Sequence, residues 1–231
     1  MLAGYSFRPR GWALAAAAIA CAAGIALGNW QARRADDKRV LGERLEAALK
    51  SSPLEIPAAP LDAKPYVLNR VAARGRFVAE HTVYLQNKIR RGRVGYEVLT
   101  PLRISNSELH VLVNRGWTDA PRAPTPQSEV RIEGIALERL PRVLQLKEAP
   151  KSHVRQNLNL DAYAVEIGLR LQPIVIEQHS DTGDGLAREW PRADAGIEKH
   201  QSYALQWYSL AALAVALAIV FSFRKIEAPS K

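Results

Sequence analysis

Two stretches of this chain are apolar and uncharged over their whole length: Gly11–Trp30 (GWALAAAAIACAAGIALGNW) and Ser202–Phe223 (SYALQWYSLAALAVALAIVFSF). About 20 predominantly apolar residues suffice to cross a hydrocarbon core roughly 30 Å thick. Each stretch therefore predicts a transmembrane helix, and everything else must be arranged around two membrane crossings. They divide the chain into a short tail (1–10), a first span (11–30), a middle domain (31–201), a second span (202–223) and a closing tail (224–231).

The first stretch has a rival reading as a cleaved signal peptide, with Arg8 and Arg10 ahead of an Ala-rich run. The apolar run continues through Ile25 and Leu27, however, and Trp30 with Arg33 and Arg34 has the character of an interfacial anchor. Cys21 follows a small-residue pair, but Ala18 stands where a lipoprotein signal wants a branched apolar residue. As the single cysteine it forms no internal disulfide. Short positive tails stay in the cytoplasm, and long domains cross regardless of charge. Arg8 and Arg10 before the first span, with Arg224 and Lys225 after the second, predict that both termini are cytoplasmic. Arg33, Arg34, Lys38 and Arg39 work against that rule, and Asp36 and Asp37 offset them in part. Only ten residues precede the first span, which leaves no room for a transit peptide. A multi-pass protein of a bacterial inner membrane, with its main domain in the periplasm, is the expectation.

The formal net charge of +9 is spread along the chain, without a basic run interleaved with aromatics. Nucleic-acid binding therefore has little support; an acidic lipid surface or an acidic partner face is the plainer use of that charge.

Beyond Trp30, Leu41, Leu45, Ala48 and Leu49 recur at helical spacing, so a helix continues out of the first span until Ser51, Ser52 and Pro53 stop it. Four prolines between Pro53 and Pro65 predict an extended linker. The periodicity then becomes two. Strands are expected over Tyr66–Val78, Thr82–Asn87, Tyr96–Leu102, Leu109–Asn114, Val130–Leu137 and Ile174–Ile176, with Gly75 a bulge or close-packing point. A short helix around Tyr163 has Asp161 as its candidate N-cap. The expected fold class is an α+β membrane protein: two transmembrane helices flanking a mainly antiparallel β outer domain, as a sheet or small barrel.

An enzyme signature is missing: no G-x-S-x-G, P-loop or H-E-x-x-H occurs, and Gly92 and Gly95 read as turn glycines. The histidines at 81, 110, 153, 179 and 200 are scattered without metal-ligand spacing, and His81 and His110 are expected to be solvated near strand ends. Asn114–Trp117 (NRGW) reads either as a turn, with Arg115 solvated and Trp117 packing down, or as a partner-facing anchor, since Arg and Trp are enriched in interface hot spots.

His200 stands at the mouth of the second span. In a helix, His200, Tyr203, Ala204 and Trp207 fall at i, i+3, i+4 and i+7 on one face. Small Ala204 among three rings leaves a shallow slot, and Trp207 lies roughly 10 Å deeper. One reading is an aromatic belt at the interface; the other is a porphyrin site with imidazole as axial ligand.

Several blocks taken together resemble the Surfeit locus (Surf/Shy-type) protein family: LGNWQARRADDK (27–38), ARGRF (73–77), GYEVLTPL (95–102), VLVNRGW (111–117), VRIEGIA (130–136) and HQSYALQWYSLA (200–211). The resemblance runs from about Leu27 to Lys225, in the family's order. It implies two spans flanking a β-rich outer domain and, in place of catalysis, a role in assembling cytochrome c oxidase. For bacterial members it implies haem a binding, with subunit I of the oxidase and haem a synthase as partners. The family's haem-linked histidine and tryptophan match His200, the expected iron ligand, and Trp207, with Tyr203 covering the ring. Where the family often has Asn immediately before this histidine, this chain has Glu198 and Lys199. Arg33 or Arg34 are candidates for pairing with haem propionates. The alternatives are a cofactor-free scaffold that steadies an oxidase intermediate through its NRGW edge, and an enzyme of the outer face.

Overall fold

The computed structural model describes residues 5–141, 152–191 and 195–225. In chain order its elements are β1 (Tyr5–Phe7), α1 (Gly11–Lys50), β2 (Leu54–Glu55), β3 (Arg70–Phe77), β4 (Val83–Arg90), β5 (Arg93–Ile104), β6 (Leu109–Thr118), β7 (Val130–Leu137), β8 (Val154–Arg155), α2 (Leu160–Ile167), β9 (Arg170–Gln178), α3 (Ile197–Val220) and β10 (Phe223–Lys225). The chain divides into two compact units, one of Met1–Gly42 with Arg192–Lys231 and one of Glu43–Pro191.

The first unit is a helix pair. Among the described residues, α1 and α3 are long and apolar enough to cross a membrane, and only 11% of each apolar window is buried within the protein. Ile19 and Leu205 are 71% and 68% exposed. A core helix of a water-soluble protein would cover such side chains; here they need an apolar solvent around them. Trp12 and Trp30 bracket the first apolar run and are both exposed, as interfacial anchors are. α1 runs on to Lys50, as the Leu41–Leu49 spacing predicts, and Ser51 caps its last turn by bonding to the Ala48 carbonyl. α3 starts at Ile197, five residues before the predicted span. It stops at Val220, and Phe223 belongs instead to β10.

α1 and α3 meet along a seam of small residues. A Cβ on Gly24 would lie 2.9 Å from the Ala211 Cβ, and one on Gly28 would lie 2.4 Å from the Tyr208 ring. Gly24 and Gly28 are four apart, and Ala204 and Ala211 are buried opposite them. This small-xxx-small arrangement lets backbones approach closely where lipid offers no hydrophobic drive. At the far end β1 pairs antiparallel with β10, and Phe7 meets the Phe223 ring edge-on at 5.3 Å. Both tails therefore leave the helix pair at the same end.

The second unit is a barrel. Its sheet, eight-stranded among the described residues, has the order β2-β3-β7-β9-β6-β5-β4-β8. An added antiparallel pairing of β3 with β5 closes β3, β7, β9, β6 and β5 into a ring. The ring is antiparallel except between β6 and β9, where the α2 crossover makes the pair parallel. Gly75 is the closure point: it pairs with Val130 on one side and Ile104 on the other, and a Cβ there would lie 2.0 Å from the Arg103 carbonyl. Val111, Val113, Ile174 and Ile176 fill one core cluster. The alternate residues Leu112 and Val175 face a second one, completed by Tyr163 of α2. Strand periodicity of two thus buries β6 on both faces.

Several local expectations need correction. Tyr66–Asn69 is a turn and not strand, with Leu68 in the left-handed region and the Asn69 side chain donating to the Pro65 carbonyl. The N-cap of α2 is Asn159, whose side chain accepts from the Ala162 amide at 3.0 Å; Asp161 lies in the first turn. His110 is not solvated: it is 5% exposed, because both faces of its strand, which lies inside the sheet between β5 and β9, are covered. Gly92 does form the β4–β5 turn together with Arg91. Gly95 lies inside β5 and packs flat against Trp117.

Candidate functional site

His200 sits in the first turn of α3. Gly196, in the left-handed region, caps that turn, and the His200 amide bonds back to its carbonyl at 3.3 Å. The chain just before α3 is held by Lys38, whose Nζ donates to the Ala195 carbonyl at 2.7 Å. The imidazole is half-buried, and its Nδ1 lies 2.7 Å from Oε1 of Gln31 on α1. An amide oxygen only accepts, so in this contact Nδ1–H donates, and Nε2 has no hydrogen-bond partner among the described residues. Gln31 is 9% exposed, held one turn past Gly28 on the packed seam. About two turns below the pair on α3, the Tyr208 hydroxyl donates to Oδ1 of Asn29 at 2.8 Å.

Tyr203 and Trp207 share the His200 side of α3, as helical spacing requires. Tyr203 is 41% exposed and Trp207 half-buried. Among the described residues the aromatic ring pairs in contact are Phe7–Phe223 and His179–Trp190. The three rings of this face therefore do not stack on one another. The gap over Ala204 opens toward α1. Ala204 lines a groove of about 360 Å³ with Ala32, Ala35, Gln201 and Tyr208, so its neighbour there is Tyr208 and not Tyr203 or Trp207.

Chemically, the arrangement offers an imidazole whose Nδ1 is engaged by Gln31, at the end of an apolar helix. That is the state in which histidine ligates metals, its second ring nitrogen hydrogen-bonded to an outer partner. These features fit an axial ligand to haem iron. Sequence reading missed Gln31 and Asn29. The available signal was the Gly24-x-x-x-Gly28 pair: Gln31 is the first polar residue that continues that small-residue face.

NRGW is neither a turn nor a partner-facing edge. Asn114–Trp117 lies inside β6, Arg115 is fully buried and Trp117 is 9% exposed. Arg115 donates to Asp184 at 2.8 Å, to the Pro124 carbonyl at 2.6 Å and to Thr125 at 3.0 Å, and its guanidinium lies 4.9 Å from the Phe77 ring centre. Trp117 donates Nε1–H to the Lys88 carbonyl at 2.8 Å. Asp184 also accepts from Arg188 at 2.6 Å. Burial pushes the Asp184 carboxyl up, but hydrogen bonds and charge from Arg188 and Arg115 outweigh it and hold it below the ordinary value. Burial lowers the Arg115 guanidinium, with Asp184 opposing. The group straps two loops to the barrel wall.

Comparison with known proteins covers both units. The profile of the SURF1 family matches residues 18–212. A SURF1-like protein of Monosiga brevicollis is 26% identical over 89% of this chain and 85% of its own length. Surfeit locus protein 1 of Mus musculus is 27% identical over 83% of this chain and 69% of its own length. A SURF1-like protein of Rickettsia conorii is 26% identical over 87% of each chain. The match takes in α1 from Ala18 onward with its seam, the whole described barrel and the His200 end of α3, and on it the chain belongs to the SURF1 family.

Proposed function

We propose that this protein is an assembly factor for cytochrome c oxidase that binds haem a at the membrane rim through His200 and passes it to subunit I. The observation that carries this reading is the His200–Gln31 pair at the lip of an apolar helix, which engages Nδ1 and leaves Nε2 without a partner among the described residues. His200 would hold the iron of a bound haem through Nε2, and the haem would supply a metal centre of the kind imidazole ligates. The chain's own part is to present that nitrogen, to shield a flat apolar ring with Tyr203 and Trp207, and to keep water away. Arg34 is three residues from Gln31 and four from Lys38, so it shares the face of α1 that carries both. It is therefore favoured over Arg33 as the propionate partner.

The two tails leave the helix pair together and carry Arg8, Arg10 and Arg224. This supports both termini in the cytoplasm, the barrel in the periplasm, and a bacterial inner membrane as the site of action. Haem a synthase is the proposed donor. The ligand must be released as well as held, and a half-buried single imidazole suits reversible binding. The cofactor-free scaffold loses the edge suggested for it, because Arg115 and Trp117 are buried. No catalytic step is assigned.

The test is the visible spectrum of detergent-purified protein produced together with the enzymes of haem a synthesis. A Soret band in the wild type that is lost in His200→Ala, with an unchanged circular dichroism spectrum, is the expected result. A colourless wild type would favour the scaffold, and a band that survives His200→Ala would move the ligand elsewhere.

A further inference from the structure

We infer that Gln31 is a positioning residue, which fixes the His200 tautomer so that Nε2, and not Nδ1, is the nitrogen available to a metal. This deepens the proposed haem site and rests on that reading. The geometry begins with the 2.7 Å contact between Gln31 Oε1 and His200 Nδ1. Gln31 is 9% exposed, on the same seam as Gly28 and Ala35. A polar amide in that position needs a partner within reach, and among the described residues the imidazole across the seam is the one it has.

Two further bonds tie the helices on either side of this pair. Lys38 holds the Ala195 carbonyl at 2.7 Å, and Tyr208 holds Asn29 at 2.8 Å. With α1 and α3 pinned above and below, the Gln31 oxygen is kept opposite Nδ1. A neutral histidine side chain in water favours the proton on Nε2, which would block the outward nitrogen. The Gln31 carbonyl reverses that preference by accepting from Nδ1–H. A ligating histidine commonly needs such an outer acceptor, and its loss typically weakens metal binding 10- to 100-fold.

The test uses the full chain in detergent micelles, without haem, labelled with ¹⁵N-histidine and held at about pH 8, above the ordinary histidine pKa of about 6.5. His200→Ala identifies the His200 signals. The expected wild-type spectrum has His200 protonated on Nδ1. Gln31→Leu shifts it toward Nε2–H, and Gln31→Glu, which keeps an acceptor oxygen, retains Nδ1–H. A wild type protonated on Nε2, or a tautomer indifferent to Gln31→Leu, overturns the inference. Titration with haemin then gives a second readout: Gln31→Leu weakens binding 10- to 100-fold and Gln31→Glu restores it. If haemin binds through His200 but the tautomer ignores Gln31, the positioning role fails and the haem site stands. If the tautomer follows Gln31 but no variant binds haemin, the positioning role stands and the haem reading fails. Should Gln31→Leu not fold, Gln31→Glu against Gln31→Lys, which offers only donors, makes the same comparison.

Discussion

Arg115 donates to Asp184 across 2.8 Å in the barrel wall, and neither side chain is reached by solvent, although 69 residues separate them. Among the described residues, Asp184 is the one carboxylate that Arg115 touches. Asp184→Ala is therefore expected to leave a buried, uncompensated guanidinium and to destabilise the protein by about 3–5 kcal/mol. Replacing the pair together, as Arg115→Met with Asp184→Leu, should cost less than Asp184→Ala alone, since Arg188 keeps Asp181 as a partner at 3.1 Å. Denaturant unfolding of the full chain in detergent measures both. Equal losses for the single and the double variant would mean that the charge pair itself is not what matters.

Stability should vary with pH in a direction set by three buried groups. Burial first, and then Arg103, lowers the His110 pKa below 6.5. A lowered folded pKa stabilises above the unfolded value, so this contribution is present above pH 6.5 and is lost as pH falls. Asp184 behaves in the same way one step lower, its contribution being lost as pH falls below 3.8. Burial raises Tyr163 to about 12, with its hydroxyl donating to the His81 carbonyl. A raised pKa stabilises below the unfolded value, so that contribution is complete below pH 10.0 and lost as pH rises toward 12. The melting temperature should be highest between 6.5 and 10.0, and His110→Gln should flatten the first acid step. An acid limb unchanged by His110→Gln would remove this histidine from the account.

The helix seam should fail by crowding. A Cβ at Gly28 would lie 2.4 Å from the Tyr208 ring, so Gly28→Val is expected to lower stability by about 1–3 kcal/mol. Adding Tyr208→Ala should recover part of the loss, at the expense of the Asn29 bond. Thermal melts followed by tryptophan fluorescence in detergent report it. No loss for Gly28→Val would show that the two helices do not depend on this contact.

Barrel closure should depend on Gly75. Its Cβ would fall 2.0 Å from a main-chain oxygen, which no rotamer change relieves. Gly75→Val should open the β3–β5 junction while leaving β3 paired with β7. Hydrogen exchange is the measurement: amides of 102–104 should lose protection, whereas those of 132–135 keep it. Uniform loss would mean that the barrel unfolds as one piece instead.

The ring faces beside His200 should matter less than the imidazole. Trp207→Ala is expected to lower haem retention in purified protein and Tyr203→Ala to lower it less, because Tyr203 is more exposed, while His200→Ala removes the Soret band. Trp207→Ala with full retention would reduce the tryptophan to a membrane anchor.

Much of the fold was readable because it is local. Charge-free runs announce α1 and α3, and the alternation in VRIEGIAL places β7 at the predicted residues, Val130–Leu137. Even the extension of α1 to Lys50 is written in the spacing of Leu41, Leu45 and Leu49. His110 and NRGW were misread for one shared reason. A polar residue in a strand reads as solvated until both faces of that strand are known to be covered. The closing β3–β5 pairing and the α2 crossover decide that from far along the chain.

The sequence by itself determined that two helices need an apolar surrounding, that a β-rich unit lies between them, and that His200 stands at the lip of the second helix. These follow from hydrophobicity and periodicity within one segment. Only the tertiary structure decided which nitrogen of His200 meets Gln31 and where Arg115 finds its counter-charge. Each depends on a hydrogen bond between residues 169 and 69 positions apart. Such a bond forms only after packing has removed water from both partners, and no local pattern encodes it.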